Sequence, residues 1–452
     1  MCKRIKGWIC LLLTVCLLGS MAQPVAQAAS FNVDFDTYCE ALLLVNQDTG
    51  VVVYEKNADE RLEPASLTKI MTYLVVCKHV EDLKNTKTTV SQDAITQLLG
   101  TGSSVSGVIA GEELTIYELL NLMMVPSGND AALVLAEYVG GGDVQKFVDM
   151  MNEEAEALGC QDTHFMNPHG LHDDQHYTTA RDMYLITQEA MKQPYFMDIT
   201  NQLYYTLRAT NKSEEPRTVY TTNRMLNQNA DGGQYYYRYC RGIKTGSHDE
   251  AGYCVITTAV REDLGYSYLC VAMNCPEYTE SGETNVHGEM IDSKNLYEWA
   301  FNNLSLKSVM EAGSIVGEVG LEYAWDKDTV QVQAADSFST ILPDSVDSDS
   351  IVVTTDLPES IEAPVEKGTV LGTATLSYAG EVLTTVDLVA AETVERSQLL
   401  YTMEQAKSVL TSQWFLITVG IIGTLLLIYI FLLILYRRKK KKLCRVRNMR
   451  RM

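Results

Sequence analysis

One uncharged stretch near the carboxyl end constrains the fold of this 452-residue chain more than any other feature. Residues 414–436 contain no Asp, Glu, Lys or Arg over 23 consecutive positions. A helix of that length reaches about 34 Å, which is enough to cross the hydrocarbon core of a bilayer with some tilt. The sequence therefore predicts a transmembrane helix at 412–436, and the remainder of the chain has to be read as two parts separated by a membrane.

The flanking segments orient this span. Residues 437–452 contain ten Lys or Arg and no acidic residue, which is typical of a cytoplasmic tail that can also bind anionic lipid. Residues 1–28 combine a basic start, an apolar run at 8–18 and the small-residue site Ala26-Gln27-Ala28, the pattern of a cleaved secretory signal peptide. A retained anchor is the alternative, but the run is short for a span. The predicted topology is a single-pass membrane protein with its body outside the cell.

The charge of the external body follows from this division. The whole chain has a net charge of −22; without the basic residues of the signal and the tail, 23 basic residues face 58 acidic ones, a net charge of −35. Such a body repels nucleic acid, so no nucleic-acid partner is predicted. The charge suits an exposed setting such as a cell wall, although solubility alone would explain it equally well.

Cysteine usage gives no clear disulfide framework. Seven cysteines fall in the external part, an odd number, and none has the spacing Cys-x-x-Cys. Cys240 could pair with Cys254, or Cys270 with Cys275, while most are expected to be ordinary core residues. No cysteine stands in a context that supplies a base, so a cysteine nucleophile is not predicted. The seven are Cys39, Cys77, Cys160, Cys240, Cys254, Cys270 and Cys275.

Residues 35–305 have the pattern of an α+β domain, in which helices pack beside an antiparallel sheet. A strand hairpin comes first, several helices follow, then more strands and a closing helix. The predicted strands are 41–45, 51–54, 203–209, 235–239, 242–246, 252–261 and 267–274. The predicted helices are 66–79, 116–124, 131–139, 144–158, 180–192 and 291–302.

Near residue 309 the helical periodicity ends and short β-rich runs replace it. These runs predict a small all-β domain of sandwich type at 309–390. A helical stalk at 391–411 then leads into the span. The predicted strands of the domain are 314–319, 329–333, 351–355, 370–377 and 382–389.

Three short motifs carry the chemistry. A hydroxyl and an amine three residues apart at the head of a helix share one face, so Ser66 and Lys69 could be a nucleophile and its base. Alone, Ser-x-x-Lys arises about once by chance in a chain this long. The ordered combination in an exported protein is far more specific. The motifs are Ser66-Leu67-Thr68-Lys69, Ser127-Gly128-Asn129 between two helices, and Lys244-Thr245-Gly246 at the end of a strand.

With these motifs the chain resembles a penicillin-binding protein of the D-alanyl-D-alanine carboxypeptidase group, a family of serine peptidases. The resemblance is close over 35–305, and the β domain and carboxyl-terminal anchor match in kind. It implies a β-lactamase/transpeptidase-like fold for the first domain. The family often anchors through an amphipathic helix, whereas this chain has a full span. Further matching segments are 167–171, 176–183, 222–226 and 242–246 with 250–253.

The resemblance implies roles for the reacting groups. Ser66 would attack the carbonyl of the penultimate D-alanine and form an acyl-enzyme. Lys69 would take the proton, which requires a neutral amine; burial and the nearby Lys244 would lower its pKa. Ser127 would relay the proton to the leaving amine. Asn129 would hold both Lys69 and the substrate amide.

The remaining roles concern substrate binding. Lys244 and Thr245 would bind the terminal carboxylate, and Gly246 would let the substrate lie against the enzyme strand. The backbone N–H groups of Ser66 and Ser247 would form the oxyanion hole. The implied partners are peptidoglycan stem peptides ending in D-Ala-D-Ala, with β-lactams as covalent inhibitors. The implied location is the cell membrane with the catalytic domain on the cell-wall side.

Other interpretations of the same residues remain open. Ser66 could cap a helix, and Ser127-Gly128-Asn129 could be an ordinary turn. The loop containing His164, His169, His172 and His176 has a metal-like composition, but the histidines lack helical framing and the family needs no metal or cofactor.

Three rival functions are considered, two of them enzymes with the same acylation chemistry and one of them non-catalytic. A β-lactamase would release the drug quickly, and a transpeptidase would use an amine acceptor, usually with larger added domains. A non-catalytic β-lactam receptor would need an internal signalling domain, for which a 16-residue tail at 437–452 has no room.

Overall fold

The computed structural model describes residues 31, 33–277, 286–347, 350–378 and 380–449. The predicted signal peptide at 1–28 lies outside these residues. The chain divides into two compact units. The first runs to Val309 and also takes in Ser339–Ile351 and Tyr378–Leu383; the second contains Met310–Phe338, Val352–Ser377 and the chain from Thr384 onward.

The first unit is built on a five-stranded antiparallel sheet with the strand order β2-β1-β9-β8-β7. Two small two-stranded sheets, β3-β4 and β5-β6, lie apart from it. The strands of the first unit are β1 Ala41–Asn46, β2 Val52–Lys56, β3 Lys87–Thr89, β4 Glu113–Thr115, β5 Tyr204–Leu207, β6 Arg217–Tyr220, β7 Cys240–His248, β8 Gly252–Arg261 and β9 Tyr266–Cys275. Its helices are α1 Lys69–His79, α2 Gln92–Thr96, α3 Ile116–Met124, α4 Asn129–Gly140, α5 Val144–Ala157, α6 Ala180–Met191, α7 Phe196–Thr200 and α8 Gly288–Asn303.

Helices cover both faces of this sheet, as the burial of β1 demonstrates. Successive side chains of a strand point to opposite faces. Leu43 packs into a core shared with α1, α3 and α4, while the adjacent Leu42 and Leu44 pack into a second core that contains α8. Because both faces are buried, β1 is apolar from Ala41 to Val45 instead of alternating. The predicted α+β arrangement of helices beside an antiparallel sheet is confirmed.

One predicted strand of the first unit is wrong. Residues 235–239 form turns and irregular structure instead of a strand. Tyr235 and Tyr237 are nevertheless buried in the core that contains α8, and Tyr237 stacks on Tyr297 with ring centroids 5.8 Å apart. Aromatic side chains favour strands because they fit a packed surface, and here a loop provides that surface.

A disulfide bond joins Cys39 to Cys275. The pairing of Cys270 with Cys275 considered above is therefore wrong, and so is that of Cys240 with Cys254, because Cys240, Cys254 and Cys270 are buried free thiols. Sequence spacing could not identify the pair, since the two partners lie 236 residues apart. They meet because β1 pairs with β9, which brings the start of one strand beside the end of the other.

We expect loss of this disulfide to destabilise the protein. Replacing both Cys39 and Cys275 with alanine should lower the free energy of unfolding by about 2–4 kcal/mol, because the cross-link closes a long loop in the unfolded chain. Urea unfolding of the full-length protein in detergent measures this. Reductant should destabilise the wild type by a similar amount and leave the double variant unchanged; an equal effect of reductant on both would contradict the assignment.

After α8, strands predominate. Strand β10 Leu304–Met310 pairs with β13 Phe338–Pro343. The second unit contains a six-stranded sheet of order β14-β16-β17-β12-β11-β15, and the predicted all-β character of this region is confirmed. Its division into two layers stays a prediction. The strands are β11 Ile315–Glu322, β12 Thr329–Ala334, β14 Val352–Asp356, β15 Ser360–Glu362, β16 Val370–Tyr378 and β17 Glu381–Ala390.

Two helices follow the second sheet. Helix α9 spans Gln398–Thr411, where the stalk was predicted, and α10 spans Gln413–Met449. Within the described part of the chain, α10 is the one helix long and apolar enough to cross a membrane, over Gln413–Lys440. This helix is consistent with a membrane anchor.

Candidate active site

The first motif lies at a junction between two helical turns. The sequence predicts one helix over 66–79, whereas the structure has a short 3₁₀ turn, Ala65–Thr68, followed by α1. Pro64 precedes the turn, and Ala65 has a left-handed backbone with φ of 43°. The arrangement still places Lys69 Nζ 2.8 Å from Ser66 Oγ.

Lys69 is fully buried at the start of α1. Residues 69–76 of this helix are all buried, so the amine lies inside the core although it faces Ser66. It also donates a hydrogen bond to the carbonyl oxygen of His169, at 2.7 Å. Burial, assisted by the charge of Lys244, lowers the pKa of Lys69 well below its ordinary value. A neutral amine beside a hydroxyl can accept its proton.

Lys244 forms a second amine–hydroxyl pair with Ser127. This lysine is buried in β7 and donates to Ser127 Oγ at 2.8 Å and to the carbonyl oxygen of Thr245 at 2.7 Å. Burial lowers the pKa of Lys244 to about 7. Because the amine occupies a lone pair of Ser127 Oγ, the proton of that hydroxyl is free to point into the cleft.

The turn between α3 and α4 holds Ser127 in a left-handed conformation with φ of 64°. Gly128 has no room for a side chain, since a Cβ there would lie 2.6 Å from the carbonyl oxygen of Leu122. Asp130, the second residue of α4, is buried and accepts hydrogen bonds from four backbone N–H groups and the Ser106 hydroxyl. Asp130 was not among the predicted site residues, and its carboxylate fixes the loop that supports the turn.

Asn129 differs from its expected role in one respect. Its side chain is buried at the cleft wall, but its Oδ1 has no hydrogen-bond partner. The expectation that Asn129 holds Lys69 is therefore not met through this oxygen, because Lys69 bonds to Ser66 and His169 instead. The unpartnered carbonyl is positioned to accept an N–H group from a bound molecule.

The end of β7 lies against the turn that contains Ser66. A Cβ on Gly246 would approach the Ser66 backbone nitrogen to 3.0 Å, so this glycine permits the enzyme's own segments to pack closely. Thr245 Oγ1 lies 2.5 Å from Thr222 Oγ1, and Ser247 follows at the cleft wall. Thr222 was not among the predicted site residues.

The loop that contains Gly170 supports the turn before Ser66 from the other side. Gly170 has a φ of 85°, and a Cβ there would lie 1.8 Å from the carbonyl oxygen of Ala65. Asn167 Oδ1 accepts the backbone N–H groups of His169 and Gly170, which fixes the loop. This loop acts through the backbone carbonyl of His169 and the missing side chain of Gly170, so no reactive side chain marks it in the sequence. The glycine is the one sequence feature that could have indicated the close contact with Ala65.

We expect Gly170→Ala to disrupt this contact strongly. The clash with Ala65 and the left-handed backbone together should cost about 2–4 kcal/mol of unfolding free energy. Gly159 is a matched control, because it has the same φ of 85° but open space around its Cβ position. Gly159→Ala should cost about 1 kcal/mol. Urea unfolding of both variants measures the difference, and equal losses would mean that the close approach to Ala65 has no energetic weight.

The histidines of the loop contact different partners and do not converge on one point. His176 Nδ1 accepts the N–H of Met166, so its Nε2–H donates to Thr68 Oγ1 at 2.8 Å, and Thr68 donates in turn to the carbonyl oxygen of Ala65. Burial lowers the pKa of His176 to about 3, which keeps the ring neutral. This chain of hydrogen bonds fixes the turn before Ser66. Elsewhere in the loop, His164 contacts the Gln175 carbonyl and His172 contacts Glu63.

These elements enclose a cleft of about 990 Å³. Six predicted site residues line it, and Lys69 and Lys244 reach it through the two hydroxyls they contact. The structure thus brings all three motifs to one place, with two buried amines behind two serines. The six lining residues are Ser66, Ser127, Asn129, Thr245, Gly246 and Ser247.

Two family profiles and several known proteins match this chain. The sequence profile of the D-alanyl-D-alanine carboxypeptidase family matches residues 26–276, and that of the penicillin-binding protein 5 C-terminal domain matches residues 305–396. The D-alanyl-D-alanine carboxypeptidase DacF of Bacillus subtilis is 28% identical over 395 residues, which cover 85% of this chain and 95% of DacF.

Two solved structures are also similar. Penicillin-binding protein 5 of Haemophilus influenzae superposes with a TM-score of 0.65 at 26% identity, covering 81% of this chain and all of that one. The Streptomyces K15 DD-transpeptidase superposes with a TM-score of 0.53 at 28% identity, covering 60% of this chain. Since the family profile covers more than half of the chain, the chain belongs to the D-alanyl-D-alanine carboxypeptidase family of penicillin-binding proteins and is a serine-type carboxypeptidase hydrolase of the cell wall.

Proposed function

We propose that this protein removes the terminal D-alanine from peptidoglycan stem peptides through an acyl-enzyme on Ser66. The same hydroxyl is proposed to bind penicillin covalently. The observation that carries the proposal is the fully buried Lys69 amine, 2.8 Å from Ser66 Oγ. No metal or cofactor has a part in the proposed reaction.

Acylation begins with transfer of the Ser66 proton to Lys69 Nζ while Oγ bonds to the carbonyl carbon of the penultimate D-alanine. The lowered pKa of Lys69 supports its role as base, and the His169 carbonyl holds the amine in place by accepting its other hydrogen bond. The backbone N–H groups of Ser66 and Ser247 are proposed to stabilise the negative oxygen that develops.

Ser127 and Lys244 are proposed to assist the leaving group. As the peptide bond breaks, the D-alanine nitrogen needs a proton, and Ser127 Oγ–H can supply it because Lys244 supports the opposite side of that oxygen. Lys69 then returns the proton that it took from Ser66 to Ser127 Oγ, which restores both groups. Water attacks the carbonyl carbon of the acyl-enzyme, Lys69 accepts a proton from that water, and the proton passes to Ser66 Oγ as its bond to the carbonyl carbon breaks. The shortened peptide leaves with a new carboxylate.

Recognition of the chain end is proposed to involve Lys244, Thr245 and Asn129. A substrate carboxylate beside Lys244 would favour the charged amine and raise its pKa from about 7. Thr245 Oγ1 offers a hydrogen bond at the same edge of the cleft, and Asn129 Oδ1 is free to accept the substrate amide N–H. Gly246 is proposed to let the substrate lie close to β7.

The membrane arrangement is part of the proposal. A cleaved signal peptide at 1–28 and a span at 412–436 would place the catalytic domain, 35–305, and the β domain, 309–390, on the cell-wall side. The stalk at 391–411 would connect them to the membrane, and the basic tail at 437–452 would stay inside. Helix α10 supports the span by its length and hydropathy.

A second candidate reaction is transpeptidation, which the similarity to the K15 DD-transpeptidase favours. In that reaction an amine, instead of water, would attack the same acyl-enzyme.

One assay distinguishes the two reactions. Full-length protein in detergent should release D-alanine from diacyl-Lys-D-Ala-D-Ala, and the other product should be the shortened acid. If added glycine or D-amino acid is joined to the peptide faster than water, transpeptidation is the main reaction; release of neither product would overturn both.

A further inference from the structure

The cleft has an acidic end that the proposed reaction does not use. We call the acidic end the group Asp249, Glu277 and Glu289, which line the cleft together with His287 and Tyr253. Three elements meet there: the turn between β7 and β8, the end of β9, and the first turn of α8.

Glu289 is the least expected member of this group. It is 1% exposed, and its Oε2 is buried without a hydrogen-bond partner in the described part of the chain. Its other oxygen, Oε1, lies 2.9 Å from His287 Nδ1, which fixes the carboxylate. A buried carboxylate oxygen without a partner is unfavourable unless a donor is supplied from outside.

The surrounding charges favour a cation as that donor. Five carboxylates line the cleft, against one guanidinium, Arg224, which is already paired with Asp231 at 2.8 Å. Burial and the neighbouring Asp249 raise the pKa of Glu277, and this rise outweighs the opposite effect of His248 and His287. A positive group entering this end would relieve both effects.

The strand register places the acidic end near the reacting centre. Ser247 of β7 is paired with Tyr253 of β8, and Tyr253 is paired with Cys275 of β9, two residues before Glu277. Two strand spacings are about 10 Å. A flexible side chain with a four-carbon stem, extending from a peptide bound along β7, can cover this distance of about 10 Å better than a backbone group can.

The geometry favours an ammonium group over a metal ion. Among the described residues, three ligand atoms come within 4.8 Å of one another at Cys39, Cys275 and Asp292, and the two cysteines there are joined by a disulfide. The carboxylates of the acidic end are not grouped in that way.

We propose that the acidic end binds the side-chain ammonium of the diamino acid that precedes the two D-alanines of the stem peptide. This inference rests on the proposed carboxypeptidase function and adds a preference to it. The enzyme would select stem peptides whose third residue still has a free amine, and disfavour those in which that amine is acylated by a cross-link.

The test compares two peptides that differ only in that amine. Full-length protein in detergent is given Nα-acetyl-Lys-D-Ala-D-Ala and its Nε-acetyl analogue, and D-alanine release is measured. We expect kcat/KM to be about tenfold higher for the free amine, the effect of one charge-assisted hydrogen bond. Glu289→Gln and Glu277→Gln should each bring the ratio close to one without slowing the Nε-acetyl peptide.

Glu298→Gln is the matched control, because Glu298 is an exposed residue of α8 that faces a different groove; its ratio should stay that of the wild type. Should Glu289→Gln fail to fold, the half-buried Glu277 gives the same test, with penicillin labelling to verify an intact Ser66.

The outcomes differ in what they contradict. A kcat/KM ratio of one between the two peptides in the wild type, or a tenfold ratio kept in both variants, would overturn the subsite. Loss of the ratio with a chelator would assign the site to a metal instead. Absence of D-alanine from both peptides would overturn the carboxypeptidase reaction itself.

Discussion

Replacing Ser66 with alanine is expected to lower D-alanine release by about 10⁴-fold or more and to abolish covalent labelling by fluorescent penicillin. The large effect follows because no other hydroxyl can take its place: loss of a catalytic nucleophile removes the covalent route entirely. Ser127 also contacts an amine, but its partner Lys244 lies in β7 and not behind Ser66. Labelling is measured by gel fluorescence and release by a coupled assay for D-alanine.

Ser103→Ala is the matched control for this experiment. Ser103 lines the same cleft, but its hydroxyl contacts Thr101 and no lysine. Its labelling and D-alanine release should stay within about twofold of the wild type, since a surface substitution has little effect. Peptide mapping of the labelled wild type should place the penicilloyl group on Ser66. Labelling that persists in Ser66→Ala, or that maps to another residue, would contradict the assignment.

The sequence was sufficient to predict the contact between Ser66 and Lys69, the proposed reacting pair, because chemistry and helical spacing act locally. Ser66 and Lys69 are three residues apart, and their contact survives although the turn between them is 3₁₀ and not α-helical. Both helical forms place side chains three residues apart on nearly the same side. The positions of the long helices and central strands were predictable for the same reason, because their hydrophobic periodicity is local.

The supports of the site were not predictable in this way. His169 contributes a carbonyl oxygen, and Gly170 contributes only the absence of a side chain, so neither has a chemical signature. The Cys39–Cys275 disulfide depends on the pairing of β1 with β9, which is a property of the sheet order. Asp130 acts on backbone N–H groups more than 20 residues away, a contact that only the folded chain creates.

Tyr237 belongs to a segment that the sequence wrongly predicted as a strand. The run of aromatic residues around it is typical of a strand, but Tyr237 lies in a loop and is buried by stacking on Tyr297 of α8. β-Propensity measures how well a side chain fits a packed surface, and tertiary packing provided such a surface without a strand. The motif residues avoided this ambiguity because their interpretation depended on chemistry at fixed spacing and not on propensity.

Replacing Lys69 with methionine is expected to lower the rate of acylation by about 10³-fold while the protein stays folded. Methionine has a similar length and is apolar, so it suits the buried start of α1, but it cannot accept the Ser66 proton. Lys69→Arg should be at least as inactive, because arginine remains charged and is larger. Lys78→Met, an exposed position on the same helix, is the control and should acylate at the wild-type rate.

The pH dependence separates the role of Lys69 as base from a merely structural one. Burial lowers the pKa of Lys69 well below its ordinary value of 10.5, and only the neutral amine can accept a proton. The acylation rate of the wild type should therefore fall as pH drops through that lowered pKa, and the residual rate of Lys69→Met should lack this acid limb. Rates of penicillin labelling between pH 5 and pH 10, with unfolding checked at each pH, measure both. An acid limb of unchanged position in Lys69→Met would assign it to another group and would leave Lys69 without a role in proton transfer.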